Sequence, residues 1–188
     1  MMLCMIPSAP PPGEGAALDN YMIRIAGGDK DALAELYRRS HAAVYGFALS
    51  ILKNTHDAED VLQDTYLQVW QAAGSYRALG KPMAWLMTIT RNLAMTRLRS
   101  RSRTDSFSPE DWQDRLAETP AVTPEDRMTL EALLTALSEQ ERQIVTLHAL
   151  AGLKHREVSA LLELPLPTVL SKYNRALKKL HTAWKEAE

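Results

Sequence analysis

Two acid-free basic stretches carry most of the chemistry this chain can do. From Thr65 to Thr104 there is no Asp or Glu, against Arg77, Lys81, Arg91, Arg97, Arg99, Arg101 and Arg103. From Lys172 to Lys185 there is again none, against Lys172, Arg175, Lys178, Lys179 and Lys185. Between them the sign reverses, with seven acids from Asp105 to Asp126 and one base, Arg115. The formal charge of -1 over 188 residues thus averages over strong segregation. Basic side chains without acidic neighbours hold phosphates, and short polar ones among them reach base edges. Two such blocks imply two contacts with a polyanion.

Other chemistry lacks its residues. His41, His56, His148, His155 and His181 are scattered, no Cys/His or His/Glu set has ligand or triad spacing, and no Gly-rich phosphate loop occurs. We therefore expect no enzyme, metal, cofactor or small-molecule substrate, and read His155 and His181 as DNA-facing or surface residues. Cys4 is the single cysteine and forms no internal disulfide, which points to a reducing, cytoplasmic setting. No stretch reaches the roughly 18 apolar residues of a membrane span, so no direct membrane insertion is expected. "MMLCMIPSAPPPGEG" lacks a basic flank and a long apolar run, and reads as a disordered tail over residues 1–15.

The elements that must position these stretches are helices, since period-two strand patterns are nearly absent. The fold class is all-α. Helices are expected near 17–27, 29–53 with an interruption around Ser40, 56–73 and 82–101. Gly27-Gly28 separates the first two, Asp29 caps the second, Asn54 and Thr55 lead into the third, and Gly74 ends it. Ser102 to Thr123 has loop composition and reads as a flexible acidic linker. A second helical block begins at Pro124, where Ser138 with Glu141 fits a capping box.

"GLKHREVSALLELPLPTVLSKYNRALKKL" reads as helix, short turn, helix. Leu164 precedes Pro165 and so avoids the α region, which forces a break. Pro167 falls in the first turn of the next helix, where its missing N–H costs little. Val169, Tyr173, Ala176 and Leu180 form the inward face of that helix. Ser171, Asn174, Arg175 and Lys178 lie opposite, with Thr168, Lys172 and Lys179 along the flank. This is the composition of a helix in a DNA major groove. A solvated Lys-rich helix end is the plainer reading of the charges alone; the preceding helix and tight turn favour DNA.

"DAEDVLQDTYLQVWQAAGSY", from Asp57, places Ala58, Val61, Leu62, Thr65 and Val69 on one stripe. Asp60, Gln63, Asp64, Leu67 and Gln71 form another, with Trp70 at its edge, a composition that fits a protein interface. "KPMAWLMTITRNLAMTRLRSRSR" is apolar nearly all round in its first half and arginine-rich in its second. Tyr76 and Trp85 bracket the loop "GSYRALGKP", where rings beside cations can hold unstacked bases; both rings also suit a core.

In order and spacing these segments resemble the bacterial sigma-70 family, specifically the compact extracytoplasmic-function (ECF) type, over about residues 17–183. "DAEDVLQDTYLQVW" is similar to the family's polymerase-binding segment, "AWLMTITRNLAMTRLR" to its minus-10 helix, and the C-terminal helix pair to its minus-35 helix-turn-helix. The resemblance implies two helical domains, region 2 over 16–103 and region 4 over 124–188, joined by a linker over 104–123. It implies a transcription initiation factor without catalysis, partnered by the RNA polymerase core through clamp coiled coil and flap, by promoter DNA, and by an anti-sigma factor. Asp60, Gln63, Asp64 and Trp70 would meet polymerase. Tyr76, Arg77, Lys81, Trp85, Arg91, Asn92, Arg97 and Arg99 would engage the melted minus-10 strand. Thr168, Leu170, Ser171, Lys172, Asn174, Arg175 and Lys178 would serve the minus-35 element.

Four positions depart from the family pattern: Leu170 where a basic residue is common, Glu163 where the turn has glycine, Lys154 where a small N-cap is usual, and Thr96 where aspartate is frequent. A left-handed backbone at Glu163 would cost about 1 kcal/mol. Two alternatives stay open on the residues: a sigma-like decoy that binds polymerase without reading promoters, and another helix-turn-helix regulator, which leaves the helix at Asp57 unexplained.

Overall fold

A computed structural model of the chain describes residues 14–77, 80–101 and 136–186, all in helices and their connections. The acidic linker and the tail up to residue 13 lie outside the described residues. The N-terminal block contains α1 (Glu14–Ala26), α2 (Lys30–Leu52), α3 (Thr55–Ala72) and α4 (Pro82–Arg101), with a 3₁₀ turn over Ala73–Ser75. The C-terminal block contains α5 (Glu139–Val145), a π-helical turn over Thr146–Leu150, α6 (His155–Leu162) and α7 (Leu166–Glu186).

The boundaries follow from side-chain chemistry. Gly28 turns the chain at φ +85°, and Asp29 then caps α2 by accepting the N–H groups of Asp31 at 2.9 Å and Ala32 at 3.1 Å. Asn54 caps α3 by accepting the Asp57 N–H at 2.9 Å. The interruption expected at Ser40 does not occur. Ser40 Oγ bonds the Leu36 carbonyl at 2.6 Å and lies 2.7 Å from the Tyr66 hydroxyl, so the buried polar group is satisfied inside an unbroken α2.

α2 is the centre of the N-terminal block. Its Val44, Phe47, Ala48 and Leu49 are fully buried with Val61 and Val69 of α3, Leu86 and Met87 of α4, and Met22 and Ile25 of α1. This sheath fixes which faces of α3 and α4 remain for other molecules.

The two blocks share a core. One apolar cluster joins Phe47 and Leu49 to Ile144, Leu147, Leu153 and Val158. Gly46 of α2 brings the π turn close, since a Cβ there would lie 3.5 Å from both Leu150 Cδ1 and Thr146 Cγ2. Burying each large apolar side chain is worth about 1.5–3 kcal/mol, against about 0–1 for an exposed ion pair, so apolar contact dominates the docking.

Candidate nucleic-acid and protein interfaces

The C-terminal helix pair is held at both ends of its turn. Lys154 caps α6 only by half: its backbone N–H donates to Glu157 Oε2 at 2.9 Å, while its ammonium has no lone pair with which to cap. Ser159 Oγ donates to the Leu164 carbonyl at 2.6 Å, and Glu163 takes the left-handed conformation at φ +56° that glycine would adopt without strain. The Pro165 carbonyl then accepts from Thr168 at 2.9 Å and Val169 at 3.1 Å, which starts α7. The two prolines initiate the helix, as the sequence requires.

α7 divides as its spacing predicts. Val169 and Ala176 are buried, with Tyr173 and Leu180 packed beside them. Leu170, Ser171, Asn174, Arg175 and Lys178 are exposed, and Thr168 and Lys172 are half-buried. Leu170 keeps 41% of its surface, an apolar group among polar ones. Lys179 is different: its ammonium donates to the buried Glu141 at 2.7 Å. Burial opposes ionisation of Glu141, but the Lys179 and Ser138 hydrogen bonds outweigh it and hold the carboxyl at about 2. The Ser138 capping box is formed, with Ser138 N–H donating to Glu141 Oε2 at 2.9 Å.

His155 corrects the surface reading. It is half-buried, its ring centroid 4.1 Å from that of His148 and 4.8 Å from that of Tyr173. His148 Nδ1 lies 2.7 Å from the Leu153 carbonyl and donates to it, whereas His155 Nε2 is buried without a partner. Burial, and then His148, push His155 below its ordinary pKa. His181 is exposed, as expected.

On α3, Asp60, Gln63 and Asp64 are exposed along one face with Leu67, which keeps 60% of its surface, and Trp70 is half-buried at the edge. Acids with an unburied leucine suit a protein partner. On α4, Arg97 donates to Asp57 at 3.0 Å and also to Asp60, so this candidate strand contact is tied to the side of α3. Arg77, Lys81, Asn92 and Arg99 are exposed. Tyr76 and Trp85 meet edge to face at 5.2 Å, and the Tyr76 hydroxyl donates to Asp19 of α1. Burial, then Asp19, raise the Tyr76 pKa. Both rings are half-buried and brace the loop that carries Arg77.

The sequence did not reveal that acids of the C-terminal block meet bases of the N-terminal one: Lys53 with Glu139 at 2.9 Å, Lys81 with Glu157 at 3.8 Å, and Arg91 with Glu163 at 3.4 Å. The departure at Glu163 was the available signal. Among the described residues no group of three His, Cys, Asp or Glu is placed to hold a metal ion, and no helix is long and apolar enough to cross a membrane.

Family models described as Sigma-70 region 2 and Sigma-70, region 4 match residues 36–104 and 127–180. The ECF RNA polymerase sigma factor SigK of Mycobacterium sp. (strain KMS) is 33% identical over 171 residues, covering 87% of this chain and 88% of the relative. The chain belongs to the ECF sigma factors. A second sigma factor, SigK of Mycobacterium tuberculosis (strain CDC 1551 / Oshkosh), is 32% identical over 178 residues, covering 90% of this chain and 95% of its own. The fold of this sigma factor is similar to CnrH in complex with the cytosolic domain of CnrY, with TM-score 0.60, 23% identity and coverage of 90% and 98% of the two chains. It is also similar to RpoE with the anti-sigma factor NepR from Bartonella quintana, with TM-score 0.62, 24% identity and coverage of 84% and 98%. The sigma factor is a transcription initiation factor that directs RNA polymerase to promoters.

Proposed function

We propose that the two blocks divide promoter recognition between them, region 2 over 16–103 and region 4 over 124–188, with 104–123 as the linker. Asp60, Gln63, Asp64 and Trp70 meet the clamp coiled coil of the largest polymerase subunit, and region 4 meets the flap. Tyr76, Arg77, Lys81, Trp85, Arg91, Asn92, Arg97 and Arg99 serve the melted minus-10 strand. Thr168, Leu170, Ser171, Lys172, Asn174, Arg175 and Lys178 serve the minus-35 duplex. The observation that carries this reading is the outward face of α7, where a helix pinned by its turn presents Ser171, Asn174 and Arg175 together. The factor works in the cytoplasm and without catalysis of its own. The solved relatives bound to CnrY and NepR support an anti-sigma factor as a further partner.

Run-off transcription tests the reading, with purified factor, core polymerase and a library of genomic fragments as template. We expect defined starts, each preceded by shared minus-10 and minus-35 sequences, that vanish when the factor is omitted. Core capture without any factor-dependent start would make the chain a decoy instead.

A further inference from the structure

Arg91 lies on the candidate strand-binding side of α4, and the carboxylate it meets comes from the turn of the helix-turn-helix. Glu163 Oε1 is 3.4 Å from Arg91 Nη1. A cleft of about 360 Å³ lies there, lined by Arg91, Asn92, Met95, Thr96, Arg99 and Glu163. Five of these six residues belong to α4, and Glu163 is the sixth, from the other block. Lys81 is likewise approached by Glu157 of α6 at 3.8 Å. Two acids of the docked block therefore lie against two bases assigned to the melted strand.

The position of Glu163 is not what the turn itself favours. At φ +56° a glycine would be unstrained, so a glutamate there carries a backbone cost without improving the local turn. Its side chain is 76% exposed, so no burial of its own compensates. Among the described residues, the ion pair recorded for this side chain is the one with Arg91 across the blocks. An exposed carboxylate at this distance is held weakly and is replaced readily by a phosphate.

We propose that Glu163 is an intramolecular gate on the strand-binding cleft: in the docked arrangement its carboxylate takes the place of a DNA phosphate at Arg91, and the melted strand gains that arginine only when the C-terminal block moves away. The proposal rests on the reading of Arg91 as a strand contact. It makes the docking of the two blocks, through the apolar cluster of Phe47 and Leu49 with Ile144, Leu147, Leu153 and Val158, antagonistic to strand binding. Any partner that separates the blocks then also arms the cleft.

The test uses the full chain and fluorescence anisotropy with a fluorescein-labelled single-stranded DNA of mixed sequence at low salt. Glu163→Gln should raise affinity about two- to five-fold, the factor that corresponds to an exposed ion pair. Glu163→Gly should do at least as much while leaving the fold as stable or more so, since it also relieves the left-handed strain. Gly46→Phe wedges the π turn off α2 and should raise affinity further, and its effect is followed by energy transfer between dyes on Ala34→Cys and Thr182→Cys in a Cys4→Ser background. In the Gly46→Phe background Glu163→Gln should add nothing, because the carboxylate is then remote. An equal gain from Glu163→Gln in both backgrounds would reduce the effect to net charge and overturn the gate. Unchanged affinity on Glu163→Gln, with reduced affinity on Arg91→Ala in the Gly46→Phe background, would overturn the gate alone; unchanged affinity on Arg91→Ala in that separated background would overturn the strand reading together with it.

Discussion

The cations of α4 and those of α7 lie in different surroundings. On α4, Arg97 reaches Asp57 and Asp60 of α3, and Arg91 reaches Glu163 of the other block. On α7, Lys172, Arg175 and Lys178 make no ion pair among the described residues, and of the cations from Lys172 to Lys179 only Lys179 does. Region 4 thus presents Arg175 and Lys178 exposed, which suits the duplex contact proposed for it, with Lys179 tied to Glu141 in the fold. On the function proposed above, region 2 exchanges protein carboxylates for DNA at Arg91 and Arg97 before these arginines act. The difference matches the two substrates: a duplex is always available to bind, whereas a melted strand exists only after polymerase has opened it.

The largest effect expected from breaking this comparison lies at Lys179 and its partner. Glu141 is 1% exposed and ties α7 to the start of α5. Glu141→Ala should destabilise the C-terminal block by about 2–4 kcal/mol, through an unpaired lysine and a lost capping partner. Hydrogen exchange of the α5 and α7 amides measures this. Because the Glu141 carboxyl is held at about 2, below its ordinary 4.5, its contribution is complete above pH 4.5 and is lost as pH falls toward 2. If Lys179 belonged to the DNA face instead, the substitution would change promoter affinity and leave exchange unaltered.

The next effect separates the two arginine classes directly. Arg175→Ala should weaken minus-35-dependent promoter binding by about 1–3 kcal/mol if Arg175 contacts a base, with no change in the unfolding midpoint. Arg97→Ala should weaken promoter binding as well and, unlike Arg175→Ala, should also lower the stability of the N-terminal block by about 1–2 kcal/mol through two lost charge-assisted hydrogen bonds. Urea unfolding and promoter filter binding, run on both variants, decide it. Unchanged promoter binding on Arg97→Ala would remove Arg97 from the strand contacts and leave it a brace between α3 and α4.

Much of this was legible in the chain because the determinants are local. Asp29, Asn54 and Ser138 cap helices through side chains within three residues, so their spacing suffices. The split faces of α7 follow from 3.6-residue periodicity, and the turn from Leu164-Pro165. What the sequence hid was tertiary pairing. Ser40 looked like a break because its partner, Tyr66, lies 26 residues away. The contact of Glu163 with Arg91 joins residues separated by the linker, and no periodicity encodes a pair at that range. His155 was misplaced for the same cause: its burial comes from His148 and Tyr173 on two other elements, while its own helix is short and polar around it.

That burial sets the smallest of the expected effects, and its sign separates a core role from a DNA-facing one. Among the described residues, three groups face the His155 ring: His148 from the π turn, Tyr173 from α7, and the apolar core beneath. None is an anion, and His155 Nε2 has no acceptor, so protonation places an unpaired cation beside a second imidazole. The folded state therefore binds this proton less readily than the unfolded chain, whose His155 titrates near 6.5. Stability is full above that value and declines as pH falls from it toward the lower folded pKa, with a slope of at most about 1.4 kcal/mol per pH unit. Thermal unfolding of the C-terminal block should thus occur earlier at mildly acidic pH than at pH above neutral, and His155→Phe, which keeps a ring against Tyr173, should flatten the slope. A DNA-facing His155 would behave oppositely: acidification would add a cation to the interface, so promoter affinity would rise while the unfolding midpoint stayed independent of this residue.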